Sequence, residues 1–266
     1  MTDFEISLYR REDIPALKAL WAHCFGDPEE MVDRYFEILP RMGFGLCAYV
    51  SGQVAGAAYM IEGMSHVKSE ESPCAYLYAV GVFSDYRGKG LGSALSQECK
   101  KLAMERGAKI ICTQPAKDSL YNWYAEIIGT KHTLFRKTTE LKSAAGTTEK
   151  ISAKEYALLR EELLLSTEHM RASEAVIEFQ QALCKAFGGD LFRTENGIAA
   201  AYIEEGKCYV KELLSRGCPE KEAAAVGYAM NLEDTVLFQA SPVGDKYLAF
   251  ESEQISKNCV WNISFD

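Results

Sequence analysis

The chain contains no Cys-x-x-Cys pair, although nine of its 266 residues are cysteine. They fall at 24, 47, 74, 99, 112, 184, 208, 218 and 259, mostly in apolar surroundings. Closely spaced thiols would announce zinc or redox chemistry. Their absence points to reduced, buried thiols in a cytosolic (cytoplasmic) protein. Histidine is scarce too: the four, at 23, 66, 132 and 169, do not cluster, which argues against a metal centre. No apolar run approaches the ~20 residues that a membrane span needs. The start, "MTDFEISLYRRED", lacks a basic stretch followed by an apolar segment, so it does not read as a secretory signal. Positive charge is in deficit, and the net charge is -9. Through Ala145 there are 17 basic and 18 acidic residues, and beyond it 12 and 20, so the second half carries nearly all the excess. Such a surface repels nucleic acid and anionic membranes and attracts cations.

What is present is an ordinary globular composition, 48% hydrophobic and 25% charged. The length allows one large domain or two modest ones. "LKSAAGTTEKIS", at 141–152, is small, polar and glycine-containing, and it coincides with the charge shift. It reads as a linker between a domain at 1–143 and another at 150–266. Before it, strands and helices mix around one sheet, the pattern of an α/β (α+β) fold. "FEISLYR" reads as a strand. "REDIPALKALWAHCFG" and "PEEMVDRYFEILPRM" carry apolar residues at helical spacing. "GLCAYVSGQVAGAAYMIEGMSHV" reads as a hairpin turning at Ser51 and Gly52. Strand "YLYAVGVF", helix "SALSQECKKLAMERG", strand "AKIICTQP", helix "SLYNWYAEII" and strand "TLFRKTTELKS" follow. The second half opens with two helical patterns. Strand-like segments then run to "KYLAFESE" at 246–253, with "EKEAAAVGYAM" as a helix among them.

The most informative stretch is "DYRGKGLGSALSQECKK", from Asp85 to Lys101. A strand leads into a glycine turn, and the turn opens a helix. Glycines permit positive φ and close approach, so several N–H groups can face one anion. The helix N-terminus adds partial positive charge, and Arg87 and Lys89 add full charges. Phosphate is the natural guest. The spacing is not Gly-x-x-x-x-Gly-Lys-Ser/Thr, which excludes a Walker-type loop, and it also fails the dinucleotide fingerprint at Ser93.

The turn resembles the acyl-CoA pyrophosphate loop of the GNAT N-acetyltransferases (Gcn5-related), written Arg/Gln-x-x-Gly-x-Gly/Ala. Here it is Arg87-Gly88-Lys89-Gly90-Leu91-Gly92, with "VGVFSDYRG" as the family's lead-in. The "REDIPALKALW" opening and the hairpin match as well, so the resemblance covers about residues 3 to 142. It implies the GNAT fold, a mixed central sheet flanked by helices, and direct attack of an amine on the thioester of acetyl-CoA, with no metal. It implies that the N–H groups of 87–92, and the start of the helix at Ser93, hold the pyrophosphate. Val80, Gly81 and Val82 would pair with the pantetheine amides, and Lys117 stands where the family often has an asparagine at the cofactor. Tyr124 takes the family's place for the acid that protonates the leaving thiolate, with Tyr121 one helical turn away as the alternative. The family's carboxylate on the central strand is missing from "YLYAVGV". Glu62 and His66, on and after the preceding strand, are the remaining candidates for the base, alongside a water chain to backbone carbonyls. Cys112 lies in an apolar run and reads as a core thiol rather than a nucleophile.

In the second half, Arg216-Gly217 echoes Arg87-Gly88, but the later glycines are gone. Pro219, Glu220 and Glu222 stand where phosphate would lie, and two carboxylates and a missing N–H repel it. The segment reads as a smaller, degenerate GNAT-like domain, placed to wall the substrate cleft or to form a homodimer. The expected acceptor is a small-molecule amine, cationic for preference, or a basic peptide. Two competing readings stay open: a catalytically weak acyl-CoA-binding or regulatory module, and a nucleotide-binding protein that reuses the glycine turn.

Overall fold

A computed structural model describes residues 3–251, 255 and 259–261. The last residues of the strand expected at 246–253 lie outside that set. The chain forms two compact units. The first comprises Met1–Ser65, Glu71–Thr133 and Leu248–Gln254; the second comprises His66–Glu70, Leu134–Tyr247 and Ile255–Asp266.

The first unit is built on β1 (Glu5–Leu8), α1 (Ile14–Cys24), α2 (Glu29–Met42), β2 (Gly43–Val50), β3 (Gln53–Val67), β4 (Glu70–Val82), α3 (Leu91–Glu105), β5 (Ile110–Thr113) and α4 (Asp118–Ile128). Strands β1 and β2 pair antiparallel, as do β2 and β3, whereas β4 and β5 pair parallel across the α3 crossover. Strand alternation sends successive side chains to opposite faces. On one face Ala58, Met60, Ala75 and Leu77 pack under Leu91, Leu95 and Cys99 of α3 and Tyr124 and Ile128 of α4. On the other, Tyr59 and Tyr78 meet Trp21 of α1 and Tyr35 of α2, with the Trp21 and Tyr35 rings 4.7 Å apart. Helices therefore cover both faces of a mixed sheet, as expected.

Two features depart from the sequence reading. Strand β4 starts six residues early, because Lys68 and Ser69 take positive φ (52° and 63°) and close a long hairpin with β3. Lysine and serine are not residues that announce such a turn. The free edge of β5 is taken antiparallel by Ala249 and Phe250, from far along the chain.

The second unit contains most of β6 (His132–Lys142), β7 (Thr148–Lys150), α5 (Ala153–Leu164), β8 (His169–Arg171), α6 (Glu174–Ala186), β9 (Asp190–Thr194), β10 (Gly197–Glu204), β11 (Lys207–Ser215), α7 (Pro219–Ala229), β12 (Asp234–Ser241) and the first half of β13 (Asp245–Phe250). Ser152 and Ser173 cap α5 and α6 by accepting from Glu155 and Val176 N–H, the usual role of serine there. Strands β10 and β11 pair antiparallel, and β11 and β12 pair parallel across α7. That order and sense repeat β3, β4, α3 and β5. The segment at 141–152, read from composition as a linker, holds the end of β6 and all of β7, which pairs with β9. Its small polar residues are compatible with an edge strand, and composition does not reveal the partner.

Candidate active site

The site starts at a fork. Parallel pairing of β4 with β5 runs from Cys74–Ile110 to Leu77–Thr113, where β5 ends, yet β4 continues to Val82. Two residues beyond the last pair, Ala79 has φ +47°, a left-handed conformation that a β-carbon disfavours by about 1–2 kcal/mol. The strand turns out of the extended conformation there and continues without β5. Among the described residues no strand pairs with residues 80–82 on the β5 side, where Val82 O accepts from Arg87 instead. On the α1 side, Gly81 lies against the end of the helix. A β-carbon at 81 would come within 3.1 Å of Cys24 Sγ and 3.5 Å of the Phe25 ring, so a larger residue there would press the Cys24 side chain aside by a few tenths of an ångström. On the β3 side, a β-carbon on Gly56 would sit 2.9 Å from Gly81 O.

The glycine turn follows. Arg87 Nε donates to Val82 O at 2.9 Å and Lys89 Nζ to Asp85 O at 2.8 Å, so both cations brace the turn while their heads stay exposed. Gly88 and Gly90 have φ +72° and +86°, and a β-carbon on either would meet no atom within 4 Å. The glycines are therefore required by backbone conformation, and they border open space. Gly90 is the N-cap of α3 and supplies no side-chain cap, and no acidic residue lies in the first turn. The first helical bond is Ala94 N–H to Gly90 O, which leaves the N–H groups of Leu91, Gly92 and Ser93 without helical partners. Leu91 is buried in the core; Gly92 lies 3.9–4.0 Å, measured from a built β-carbon, from Val82 and Trp123.

Tyr124 stands at the fork. Its buried hydroxyl hydrogen-bonds the Thr113 side chain, and Thr113 Oγ1 donates to Leu77 O at 3.0 Å, across the last β4–β5 pair. Burial pushes the phenol up to about 12. Tyr121, one turn earlier, is also buried. Lys117 is exposed at the N-cap of α4.

The base candidates lie elsewhere. Glu62 pairs with Arg106 at 3.3 Å, and Arg106 stacks 4.4 Å from the Phe44 ring. Arg106 follows the last residue of α3, so this pair sits at the end of the helix opposite the turn, about 22 Å along its axis. His66 belongs to the second compact unit, where its ring lies 5.5 Å from that of His169. The structure thus gathers the turn, the splayed strand and Tyr124 around one fork, without Glu62. Sequence reasoning missed Ala79, Cys24, Phe25 and Thr113. Gly81 was the one available signal for the α1 contact. Two open hollows of about 650 and 570 Å³ lie away from the fork, one beside Arg10 and Tyr49 and one beside Ile14 and Phe36.

A strand that parts from its parallel neighbour just before an uncapped, glycine-opened helix is the arrangement that the resemblance to the GNAT N-acetyltransferases implies. The comparisons agree. Residues 14–129 match the model of the acetyltransferase (GNAT) family. An acetyltransferase of Pectobacterium atrosepticum is 28% identical over 120 residues, 43% of this chain and 78% of that protein. One from Yersinia pestis is 30% identical over 108 residues, 39% of this chain and 70% of that protein. The chain belongs to the acetyltransferase (GNAT) family. Its fold is also that of GCN5-related N-acetyltransferases from Anabaena variabilis (TM-score 0.71, 14% identity, 93% of this chain and 72% of the other) and Kribbella flavida (0.69, 17%, 93% and 70%). Among the described residues no helix is long and apolar enough to cross a membrane.

Proposed function

We propose that the first unit transfers an acetyl group from acetyl-CoA to a primary amine. The observation that carries this reading is the conjunction of the fork with the open, uncapped start of α3. Bound acetyl-CoA supplies an acetyl thioester activated for attack by an amine. The backbone N–H groups from Gly88 to Ser93 hold its diphosphate, with Arg87 and Lys89 at the rim and Lys117 nearby in sequence order on the next helix. Residues 80–82 offer the free edge of β4 to the two amides of the pantetheine arm. A backbone N–H of this edge is also suited to stabilise negative charge developing on a carbonyl oxygen. Tyr124 keeps its proton on Oη at neutral pH, as a general acid for a leaving thiolate must.

The attacking amine has to lose a proton, because a free alkylamine with a pKa near ~10.4 is only about one part in a thousand neutral at pH 7. Engagement of Glu62 with Arg106 favours solvent and backbone carbonyls over Glu62 as the route for that proton. The net charge of -9 favours a small cationic amine or a basic peptide as acceptor. The second half is read as a degenerate GNAT-like domain, and the chain as a cytoplasmic protein able to form a homodimer. All nine cysteines are unpaired, as a reducing compartment requires.

The missing carboxylate on the Tyr76–Val82 part of β4 favours a second reading, an acyl-CoA-binding module with weak or no turnover. One experiment separates the two. Calorimetric titration with acetyl-CoA, with ATP and NAD as controls, is followed by thiol release over an amine panel running from neutral amines to polyamines and a basic peptide. Acetyl-CoA binding with amine-dependent thiol release is the expected result. Binding without release selects the module, and absence of binding removes both.

A further inference from the structure

The second unit also runs strand, turn and helix, and there an internal acid folds back onto the turn. Its β11 ends at Ser215, a turn through Gly217 follows, and α7 opens with Pro219. In α3 the corresponding first turn has no acid, whereas that of α7 carries Glu220 and Glu222. Glu222 does not face solvent: it is 3% exposed. Its carboxylate folds back towards the turn and accepts three side-chain bonds. Ser215 Oγ donates to Oε1 at 2.5 Å, Asn196 Nδ2 to the same oxygen at 3.4 Å, and Thr194 Oγ1 to Oε2. Ser215 Oγ in turn accepts the Gly217 N–H at 2.8 Å. A β-carbon on Gly217 would collide with the carboxylate, so the turn is shaped around it.

Three hydroxyl and amide donors from β9, the β9–β10 turn and the end of β11 therefore converge on one buried oxyanion. A buried carboxylate requires such donors, and losing it would leave them unsatisfied. We propose that Glu222 is a built-in anion, whose carboxylate occupies the oxyanion place of the second strand–turn–helix and limits the chain to one diphosphate site. The limit to one site rests on the reading of the Gly88–Gly90 turn given above. The presence of an oxyanion place lined by Ser215, Thr194 and Asn196 does not. The ligand class that fits this place, once the side chain is removed, is a small oxyanion such as formate.

The test uses the full chain and formate as the probe, with chloride at equal ionic strength as the control. Glu222→Ala is expected to melt lower than the wild type. Formate at ten times its dissociation constant should then raise the melting temperature of the variant by about 3–5 °C, leaving the wild type and the chloride control unmoved. An equal response of wild type and variant, or none, would overturn the proposal. Should Glu222→Ala fail to fold, the urea midpoints of Glu222→Asp and Glu222→Gln decide. Aspartate keeping most of the stability while glutamine loses it supports the anion role; glutamine as stable as the wild type refutes it. Acetyl-CoA titration of the wild type reads the other half. One site per chain is expected, and two sites would overturn the limit. No binding would remove the reading of the first turn, while the formate response would still judge Glu222 by itself.

Discussion

Replacing Gly90 by alanine separates the proposed cradle from the fold that carries it. Gly90 has φ +86°, and a β-carbon there would meet no atom within 4 Å. The folded protein therefore suffers only the conformational penalty of alanine in the left-handed region, about 1–2 kcal/mol. For a chain of this size that lowers the melting temperature by roughly 2–8 °C. Binding suffers more. The backbone that relaxes to relieve alanine at positive φ would re-aim the Leu91, Gly92 and Ser93 N–H groups that follow it. Loss of one hydrogen bond to a charged group is worth about 1.5–3 kcal/mol, or roughly 10- to 150-fold in affinity. The internal control is Gly92→Ala. At 92 the φ is not positive, and the added carbon would make ordinary contacts at 3.9 Å with Val82 and 4.0 Å with Trp123. Inside a helix, alanine is favoured over glycine by about 1 kcal/mol. This variant should match or exceed the wild type in stability and still bind. The assays are calorimetric titration with acetyl-CoA and a thermal melt of each variant. If Gly90→Ala folds and binds acetyl-CoA as the wild type does, the turn is not the diphosphate site and the reasoning fails.

Tyr124→Phe should lower turnover by about 100-fold or more while leaving acetyl-CoA affinity unchanged, as expected for a general acid; an unchanged kcat would remove Tyr124 from that role. The Tyr124 phenol lies at about 12 when folded, above its ordinary 10.0, so the folded state keeps this proton longer than the unfolded chain does. Its contribution to stability is complete below pH 10 and is lost as pH rises towards 12, which melting curves across that range will read against Tyr124→Phe. Glu62→Gln removes a half-exposed ion pair and should change stability by less than about 1 kcal/mol, with turnover within a few-fold; a large fall in kcat at neutral pH, recovered at alkaline pH, would make Glu62 the base. In native protein only exposed Cys218 and half-buried Cys24 should alkylate quickly, because burial pushes thiols such as Cys74 and Cys208 up to about 12. Mass mapping after brief iodoacetamide treatment checks this, and labelling of Cys74 would contradict it.

The glycine turn was legible because its conformation leaves few residue choices: positive φ at 88 and 90 selects glycine. The helices were legible because Leu17, Leu20, Trp21, Met31, Tyr35 and Ile38 repeat at helical spacing, and all are buried. The fork was not, since Ala79 adopts its positive φ under tertiary constraint and nothing in an alanine announces it. The Lys68–Ser69 turn was hidden for the same reason. Nor could local pattern place Arg106 beside Glu62, 44 positions away, or bring Thr113 to Tyr124 from another element.

By itself, then, the sequence determined where most of the strands and helices form and where a glycine turn opens a helix, because those depend on periodicity and on local backbone freedom. Tertiary structure alone decided which strand edge stays open, which tyrosine reaches the fork, which carboxylate is tied up in an ion pair, and that Glu222 turns inward onto Ser215 and Thr194. Those outcomes depend on which distant groups meet, and contacts between residues far apart in the chain leave no periodic trace in it.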